Sequence, residues 1–457
     1  MASNLYTGRN KSRKSFFLII FFGIILLGAV LAGVIYLERE MPLVQISDEL
    51  NLIGSHKEVT FTVIDRKSGI SHVNVSLVQG AKEKKLYEKT FQREGYAPNA
   101  GPEKLEFLTV IDANSLKLKN GSAKLIVTVR DFSFWNFLRG NKTEKIYEFT
   151  LDSEPPKVNR MDSPRYIKPG GAGIVIYKIG EIVAHHGVRI NGFFHPGFPF
   201  PGAEGTFGAI IGLPYDTENI ESAAVEAVDE AGNIGKAPFG MILKSVKWKQ
   251  DQINVPDSFL TLKIPEFSQY YPLMEEKETS LEKYLYVNNT VRRENNLKII
   301  ELCSNSGKEQ LWDGRFSRMA RASNRAGFAD HRTYYYDGKE IDKQVHLGID
   351  LASTRHAEVG AANKGKVIFA DYLGIYGNVV ILDHGLGVFS LYSHLSQIGV
   401  VAGDMIEKDG ILGATGTSGM AGGDHLHFSI LVNGILVDPL EWWDEHWLDL
   451  NILSYLK

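Results

Sequence analysis

Residues 422–432 read GGDHLHFSILV, and this short stretch decides the fold of the C-terminal part of the chain. Two histidines, His425 and His427, alternate with apolar residues that include Leu426 and Phe428. Strict alternation is typical of a β-strand, in which successive side chains point to opposite faces. The pattern therefore predicts a strand that buries one face in a core and presents both imidazoles on the other face.

Three further segments nearby carry side chains of the same kind. HLGIDLA contains His346 and Asp350, LYSHLS contains His394, and a glycine-rich stretch, GATGTSGMAGGD, directly precedes HLHF. In an extended chain His346 and Asp350 share a face with Gly348, which leaves room between the two polar side chains. Each motif alone is more often structural than functional. All four in this order are hard to obtain by chance, so we interpret them as one site.

The chemistry of these side chains favours a metal. Imidazole nitrogens and a carboxylate oxygen are ligands that suit zinc. Three protein ligands leave a fourth coordination position open, which is the arrangement of a hydrolytic site rather than of a closed structural one. The residues alone do not decide which histidines would be ligands.

The combined pattern, HxxxD followed by YxHL and GxTGxSGxxxGxHLHF, resembles the lysostaphin-type (LytM-type) zinc endopeptidases that cut peptidoglycan peptides. The resemblance extends over about residues 328–443. It implies one Zn²⁺ held by His346, Asp350 and His427, and it implies that His394 and His425 form the catalytic pair. The main departure from the family pattern is an aspartate immediately before His425.

The resemblance also implies partners and an alternative function. Peptidoglycan peptides would be the substrate, and a regulatory protein partner is left open. Some LytM-type domains lack zinc ligands and act as modules that bind the wall or activate a separate amidase. The complete set of ligands and catalytic histidines favours the enzyme.

Four histidines outside the pattern are predicted to be structural or surface residues, namely His331, His356, His384 and His446. Side chains predicted to line the groove are those of Tyr334, Tyr335, Tyr336, Tyr376 and Asn378.

The N-terminus predicts a membrane anchor. Residues 16–37 read FFLIIFFGIILLGAVLAGVIYL and carry no charge. A helix of this length spans about 33 Å, enough to cross a bilayer. Arg9, Lys11, Arg13 and Lys14 precede the segment, so the positive-inside rule predicts an N-terminus in the cytoplasm and the remaining chain outside the inner membrane.

Between the anchor and the HLHF region the sequence predicts two β-sandwich units and a helical connector. VTFTVIDRKSGISHVNVSLVQ reads as two strands of a hairpin around a Lys-Ser-Gly turn, and its SGI turn and the later DEAGN segment resemble bacterial immunoglobulin-like domains. Ser280 is predicted to cap a helix that continues to Leu302.

The predicted fold class is therefore mainly β. One transmembrane helix precedes the β domains, and the chain ends in an antiparallel β peptidase domain. The predicted boundaries are a cytoplasmic tail at 1–15, the membrane helix at 16–37, β-sandwiches at 45–153 and 154–250, the connector at 251–325, the peptidase domain at 326–446 and a tail at 447–457.

Composition narrows the function classes further. The chain has 457 residues, of which 44% are hydrophobic and 23% charged, so it can bury several cores. Its formal net charge of -4 argues against bulk binding to nucleic acid. Cys303 is the only cysteine, which excludes an intrachain disulfide.

Overall fold

A computed structural model describes residues 11–95, 99–200 and 202–456, and within them the chain is mainly β. Two compact units result, one formed by Met1–Pro155 with Asp229–Asn233 and the other by Pro156–Val228 with Ile234–Lys457. Most of the predicted cytoplasmic tail, including Arg9, lies outside the described residues.

The N-terminal helix, α1, runs from Lys11 to Tyr36. Its segment from Ser15 to Tyr36 is long and apolar enough to cross a membrane, and its apolar side chains are largely exposed. The helix ends within one residue of the predicted span, and the backbone N–H of Leu37 still donates to the carbonyl of Gly33.

The first sandwich has eight strands that form two sheets around one apolar core. The sheet orders are β1-β3-β6 and β2-β8-β7-β4-β5, and a four-residue turn, α2 (Trp135–Leu138), lies between β7 and β8. The strands β1 to β8 are Leu43–Ile46, Leu52–Ile53, His56–Ile64, Ile70–Gln79, Lys82–Thr90, Lys104–Asp112, Gly121–Asp131 and Lys142–Leu151.

The predicted hairpin around the Lys-Ser-Gly turn is wrong. The strands β3 and β4 flank the turn as expected, but β3 pairs with β1 and β6, whereas β4 pairs with β5 and β7. Oδ1 of Asp65 accepts hydrogen bonds from the backbone N–H groups of Lys67 and Gly69, and Gly69 has a φ of 82°. This turn therefore takes the chain from one sheet to the other, a geometry that strand patterning alone does not distinguish from a hairpin.

The second sandwich has two four-stranded sheets with a core between them. Their orders are β14-β15-β11-β9 and β13-β12-β16-β17, and the short strands β10 and β18 pair in parallel. The strands β9 to β18 are Val158–Asp162, Tyr166–Ile167, Ala172–Ile179, His185–Ile190, Phe193–Pro196, Phe198–Pro199, Thr206–Gly212, Ala223–Val228, Ile234–Pro238 and Ile242–Leu243.

The connector begins with a strand and continues as helices. The strand β19 (Gln250–Asn254) pairs in parallel with residues 331–335 of the C-terminal region, so the predicted boundary at residue 251 cuts through a strand. Thr279, rather than Ser280, caps the predicted helix, and it does so through a capping box with Glu282. The helical segments are α3 (Asp257–Ser268), a 3₁₀ turn (Pro272–Glu276), α4 (Ser280–Tyr286), a π turn (Val287–Val291) and α5 (Arg292–Leu302).

The C-terminal region is built on one large antiparallel sheet in the order β20-β23-β30-β27-β26-β25-β28, beside a smaller sheet, β19-β21-β22. The strands β20 to β31 are Ser323–Ala326, Asp330–Tyr336, Lys339–His346, Ile349–Ala352, Glu358–Gly360, Gly365–Tyr372, Asn378–Asp383, Val388–Ile398, Met405–Ile406, Ile411–Thr415, Leu426–Val432 and Ile435–Val437. The remaining helical segments are Gly374–Tyr376, Pro439–Trp443, Glu445–Leu448, Asp449–Leu453 and Ser454–Leu456.

Both faces of the large sheet are covered. One face packs against residues of the second sandwich and of the chain end, and the other packs against the connector helices. On β30, Leu426 and Phe428 belong to the first of these cores and Leu431 belongs to the second. The predicted tail also contributes, since Leu448 and Ile452 are buried in the same core as Phe428.

Candidate active site

Three adjacent strands bring His346, Asp350 and His427 together. His346 is the last residue of β22, and Asp350 lies in β23 after a short turn. In the register of β23 and β30, Asp350 is directly opposite His427. A Cβ atom at Gly348 would lie 2.5 Å from the His427 ring, so only glycine fits at this position. The space that Gly348 leaves between His346 and Asp350 is therefore filled by the side chain of His427.

The three side chains are buried and in mutual contact. Nε2 of His346 lies 2.9 Å from Oδ1 of Asp350, and Nδ1 of His427 lies 3.0 Å from the same oxygen. The two nitrogens are 2.8 Å apart. One nitrogen from each histidine and one carboxylate oxygen thus lie within 4.8 Å of one another, which is a cluster that could hold a metal ion.

A second layer of hydrogen bonds fixes the orientation of all three groups. Nδ1–H of His346 donates to the carbonyl of Gly327 at 2.8 Å, which leaves the lone pair on Nε2 facing the cluster. Ser429 donates its hydroxyl to the carbonyl of Leu347 at 2.8 Å and lies 3.1 Å from Nε2 of His427. Since that hydroxyl proton is already used, its oxygen accepts Nε2–H, and the Nδ1 lone pair of His427 faces the cluster.

Arg332 supports the carboxylate. Its Nη2 lies 3.1 Å from Oδ2 of Asp350, so the guanidinium neutralises one oxygen while the other faces the two histidines. No sequence motif points to Arg332, because RTYYY at residues 332–336 is an ordinary strand pattern. Ser429 was missed for the same reason, although it follows His427 on the same face of β30.

His394 and His425 lie beside the cluster. Their ring centroids are 4.8 Å apart, and Nε2 of His425 is 3.5 Å from Oδ1 of Asp350. His394 has a φ of 61° and lies at a register shift in the pairing of β27 with β26, between the partners Tyr392 and Leu395. Each ring is oriented by one hydrogen bond from Nδ1–H, to the carbonyl of Ser418 for His394 and to that of Gly423 for His425, both at 2.8 Å. Nε2 of each ring is left for other partners.

The environments push the pKa values of the ionisable groups apart. Burial, reinforced by the neighbouring His425 and His427, holds the pKa of His394 well below its usual range. Burial likewise lowers the pKa of His427 to about 4. For Asp350 burial acts in the opposite direction, but His346 and the other imidazoles hold its pKa well below the usual value. For His425 burial would lower the pKa, yet the Asp350 carboxylate raises it.

The five side chains face a groove of about 780 Å³. One wall comes from the connector, through residues such as Phe259, Leu262 and Tyr284, and Arg292 adds a positive charge there. Of the side chains predicted to line the groove, those of Tyr334 and Tyr376 do so. The others have different roles or positions: Tyr336 donates its hydroxyl to Asp257, Asn378 donates to the carbonyl of Leu395, and Tyr335 lies outside the groove lining.

The connector also holds the glycine-rich loop. Nζ of the buried Lys263 donates to the carbonyl of Thr417, and the carboxylate of Glu266 accepts from the backbone N–H of Gly419. Ser418, between these two residues, accepts the Nδ1–H of His394. One helix of the connector therefore determines the position of the loop that orients a histidine of the site.

The aspartate that departs from the family pattern is turned away from the groove. Oδ1 of Asp424 accepts the hydroxyl of Thr415 at 2.6 Å, and Oδ2 accepts the backbone N–H of His356 at 3.2 Å. Asp424 thus ties the residues before His425 to the neighbouring strand. His384, predicted to be structural, is fully buried between the carbonyl of Lys364 and the hydroxyl of Ser390.

Comparison with known proteins identifies this part of the chain. Residues 344–439 match the model of Peptidase family M23. DD-carboxypeptidase/endopeptidase Mpg of Neisseria meningitidis is 35% identical over 97 residues, which are 21% of this chain and 22% of that protein. Murein hydrolase activator EnvC of Escherichia coli is 35% identical over 111 residues, which are 24% and 26% of the two chains.

The similarity to these curated relatives is confined to a part of each. The chain spans about a quarter of the length of the two proteins. Among solved structures, a putative peptidase M23 from Pseudomonas aeruginosa aligns with a TM-score of 0.40 at 20% identity, over 62% of this chain and 96% of that one.

Proposed function

We infer that this chain, whose C-terminal region is a Peptidase family M23 domain of the LytM type, is a membrane-anchored zinc endopeptidase that hydrolyses peptide bonds in peptidoglycan. The observation that carries the proposal is the convergence of five side chains on one groove. His346, Asp350 and His427 offer three ligand atoms within 4.8 Å, and His394 and His425 stand beside them.

The donor set fits zinc. Two imidazole nitrogens and one carboxylate oxygen are ligands found at catalytic zinc sites, and each ligand is oriented by a further hydrogen bond, as ligands of such sites usually are. When bound there, zinc would supply Lewis acidity, which polarises a carbonyl and acidifies water.

The two remaining histidines supply proton transfer and charge stabilisation. A neutral imidazole accepts a proton, and an imidazolium donates a hydrogen bond to an oxyanion. Both rings are held by Nδ1–H donation to a carbonyl, so both present Nε2 as the working atom. We assign the pair these two roles jointly, with the division between His394 and His425 left open.

The N-terminal helix supports a location at the membrane. We propose that α1 crosses the inner membrane with its basic flank in the cytoplasm, which places the peptidase domain outside, where peptidoglycan is found. The Neisseria relative is named an endopeptidase and EnvC is named a murein hydrolase activator, which supports the same reaction and the same substrate class.

The alternative is a module that lacks hydrolytic activity and activates a separate wall hydrolase. EnvC, one of the similar proteins, is named a murein hydrolase activator. The complete set of three ligand atoms with two adjacent histidines favours hydrolysis over this alternative.

The test compares the full-length chain with its Asp350→Ala variant on purified peptidoglycan, with fragments identified by mass spectrometry. We expect the wild type to release fragments cut at a peptide bond, and we expect the variant to release none. If neither the wild type nor the variant cuts peptidoglycan, the hydrolase proposal is refuted and the activator alternative is favoured. Adding a purified wall amidase to the wild-type chain would then measure activation directly.

A further inference from the structure

The turn between β7 and β8 displays large apolar side chains to the surroundings. Phe137 is 95% exposed and Leu138 is 74% exposed. Asn136, Phe137 and Leu138 also have φ values of 54°, 56° and 66°, in the left-handed region that bulky side chains rarely adopt. The first sandwich has a well-formed core nearby, yet the backbone here takes a strained conformation that directs these side chains away from it.

This turn is attached to the end of the apolar helix. The backbone N–H of Phe134 donates to the carbonyl of Tyr36, the last residue of α1, at 2.8 Å, and the two rings stack with centroids 5.4 Å apart. The guanidinium of Arg39 lies 3.9 Å from the ring of Trp135. The turn therefore lies at the level at which the helix ends, and we call residues 132–139 the juxtamembrane loop.

Buried hydrogen bonds make this junction rigid. The hydroxyl of Ser133 donates to the carbonyl of Glu38 at 2.8 Å, and Nδ2 of Asn141 donates to the same carbonyl at 3.1 Å. Oδ1 of Asp131 accepts the backbone N–H groups of Ser133 and Asn141 at 3.0 and 2.7 Å. Both flanks of the loop are therefore hydrogen-bonded to the residues that follow α1 or to each other.

The charges around the loop suit phospholipid headgroups. The guanidinium of Arg93 lies 4.4 Å from the Phe134 ring and donates to the carbonyl of Phe132, and Arg130 donates to the carbonyl of Arg139. With Arg39 these arginines accompany the aromatic rings, whereas Asp131 is buried. Aromatic rings beside arginines are typical of segments that lie at a membrane surface, where the cations face phosphate groups.

We propose that the juxtamembrane loop inserts Phe137 and Leu138 into the outer leaflet of the same bilayer that α1 crosses, with phospholipid headgroups around its arginines. The proposal rests on the membrane anchoring proposed above. The loop is a second attachment point beside the helix, so it fixes the orientation of the first sandwich relative to the bilayer. A protein partner or a second copy of the chain covering Phe137 is the competing occupant.

The experiment measures the depth of single labelled positions in the full-length chain. Cys303 is replaced by alanine, and an environment-sensitive fluorophore is attached to Phe137→Cys in nanodiscs of phosphatidylethanolamine and phosphatidylglycerol. Lipids carrying a nitroxide near the headgroup or deep in the acyl chain act as quenchers. Two controls are matched to it. Leu26→Cys lies within α1, and Ala81→Cys lies in the turn between β4 and β5, about 30 Å along the strand from the loop.

We expect the label at residue 137 to be quenched most by the shallow nitroxide and to lie about 5–10 Å below the headgroup boundary. The label at residue 26 should be quenched by the deep nitroxide, and that at residue 81 by neither. Quenching at 26 without quenching at 137 would overturn the loop proposal and leave the anchor standing. A blue-shifted but unquenched label at 137 would also overturn the loop proposal, and it would indicate that a protein surface covers this position. No quenching at 26 would overturn the anchor and the loop proposal together.

Discussion

Nη2 of Arg332 lies 3.1 Å from Oδ2 of Asp350, so this carboxylate is shared between a guanidinium and the histidine cluster. Its other oxygen faces His346 and His427 at 2.9 and 3.0 Å. The arginine thus holds the carboxylate in the orientation that a metal ligand needs, and it cannot itself be a ligand because a protonated guanidinium has only donors. Partners of this kind tune a metal site without touching the metal.

The first prediction is that Arg332→Ala weakens zinc binding. Without the guanidinium the carboxylate of Asp350 can rotate, and loss of such a partner typically lowers metal affinity by about 10–100-fold. Competition with a chromophoric chelator on the full-length chain measures the affinity. Arg325 lines the same groove, so Arg325→Ala is the matched control and should bind zinc like the wild type. Equal affinities for all three proteins would contradict the role of Arg332.

The second prediction separates the proposed ligand His427, on β30, from His425, which immediately precedes that strand. His427→Ala removes a ligand atom from the cluster, so zinc content and hydrolysis should be lost together. His425→Ala leaves the three ligand atoms in place, so zinc should remain while the rate of wall hydrolysis falls by about 10²–10³-fold. Zinc content and hydrolysis rate are measured on the same samples. Loss of zinc in His425→Ala with retention in His427→Ala would reverse the assignment.

His394→Ala extends this test to the other strand, and it is the third prediction. The ring of His394 is 5.8 Å from that of His427 and supplies none of the three ligand atoms. We expect zinc to be retained and the hydrolysis rate to fall by about 10²–10⁴-fold, the usual effect of losing a proton-transfer group. Wild-type hydrolysis by this variant would refute a catalytic role for His394.

The sequence pattern predicted the histidines of the site but not the residues that orient them. The alternation of His425 and His427 with Leu426 and Phe428 indicates a strand with two distinct faces. The structure has that strand from Leu426 onward, whereas His425 precedes it and forms an isolated bridge with Gly416. The residues that orient the three proposed ligands could not be found in this way. Arg332 reaches Asp350 from β21, and the strand pattern does not indicate which side chain of that strand meets the carboxylate.

The fold shows the same division. Strand patterning correctly predicted a mainly β chain, but it wrongly paired β3 with β4 as a hairpin. The pairing partners of these strands depend on the turn geometry at Asp65 and Gly69, which the strand pattern does not reveal. His394 lies at an irregularity of β27 with a positive φ, which only tertiary context determines. The contact of Lys263 with the glycine-rich loop joins residues separated by about 150 positions, a distance over which periodicity carries no information.

The fourth prediction concerns that contact. Lys263→Met removes the buried donor to the carbonyl of Thr417 and leaves Glu266 without its cation. Leaving such buried groups unsatisfied should lower the free energy of unfolding by about 1–3 kcal/mol. Hydrolysis should fall as well, because the adjacent Ser418 orients His394. Lys298→Met breaks an exposed pair with Glu301 on the same connector and should cost under about 1 kcal/mol. Equal stability of the two variants in urea denaturation would contradict the prediction.

The last prediction concerns acid stability and rests on His384. The imidazole is fully buried, with Nδ1 at 2.7 Å from the carbonyl of Lys364 and Nε2 at 2.7 Å from the hydroxyl of Ser390. Burial lowers the pKa of His384 to about 4, whereas the unfolded chain has the ordinary value of 6.5. The folded state therefore disfavours the protonated ring. Its stabilising contribution is fully present above pH 6.5 and is lost as the pH falls from there through about 4.

A difference of this size corresponds to roughly 3 kcal/mol of unfolding free energy between neutral pH and about pH 4. His384→Gln loses the packing and the two hydrogen bonds of the buried ring, so this variant should be less stable than the wild type near neutrality. Its side chain takes up no proton, so the variant lacks the acid-dependent loss of the wild type and the gap should close on acidification. Urea denaturation followed by circular dichroism at a series of pH values gives both curves. His446 is exposed, and His446→Gln should follow the wild type throughout. A constant gap between wild type and His384→Gln across this range would show that His384 does not cause the acid sensitivity.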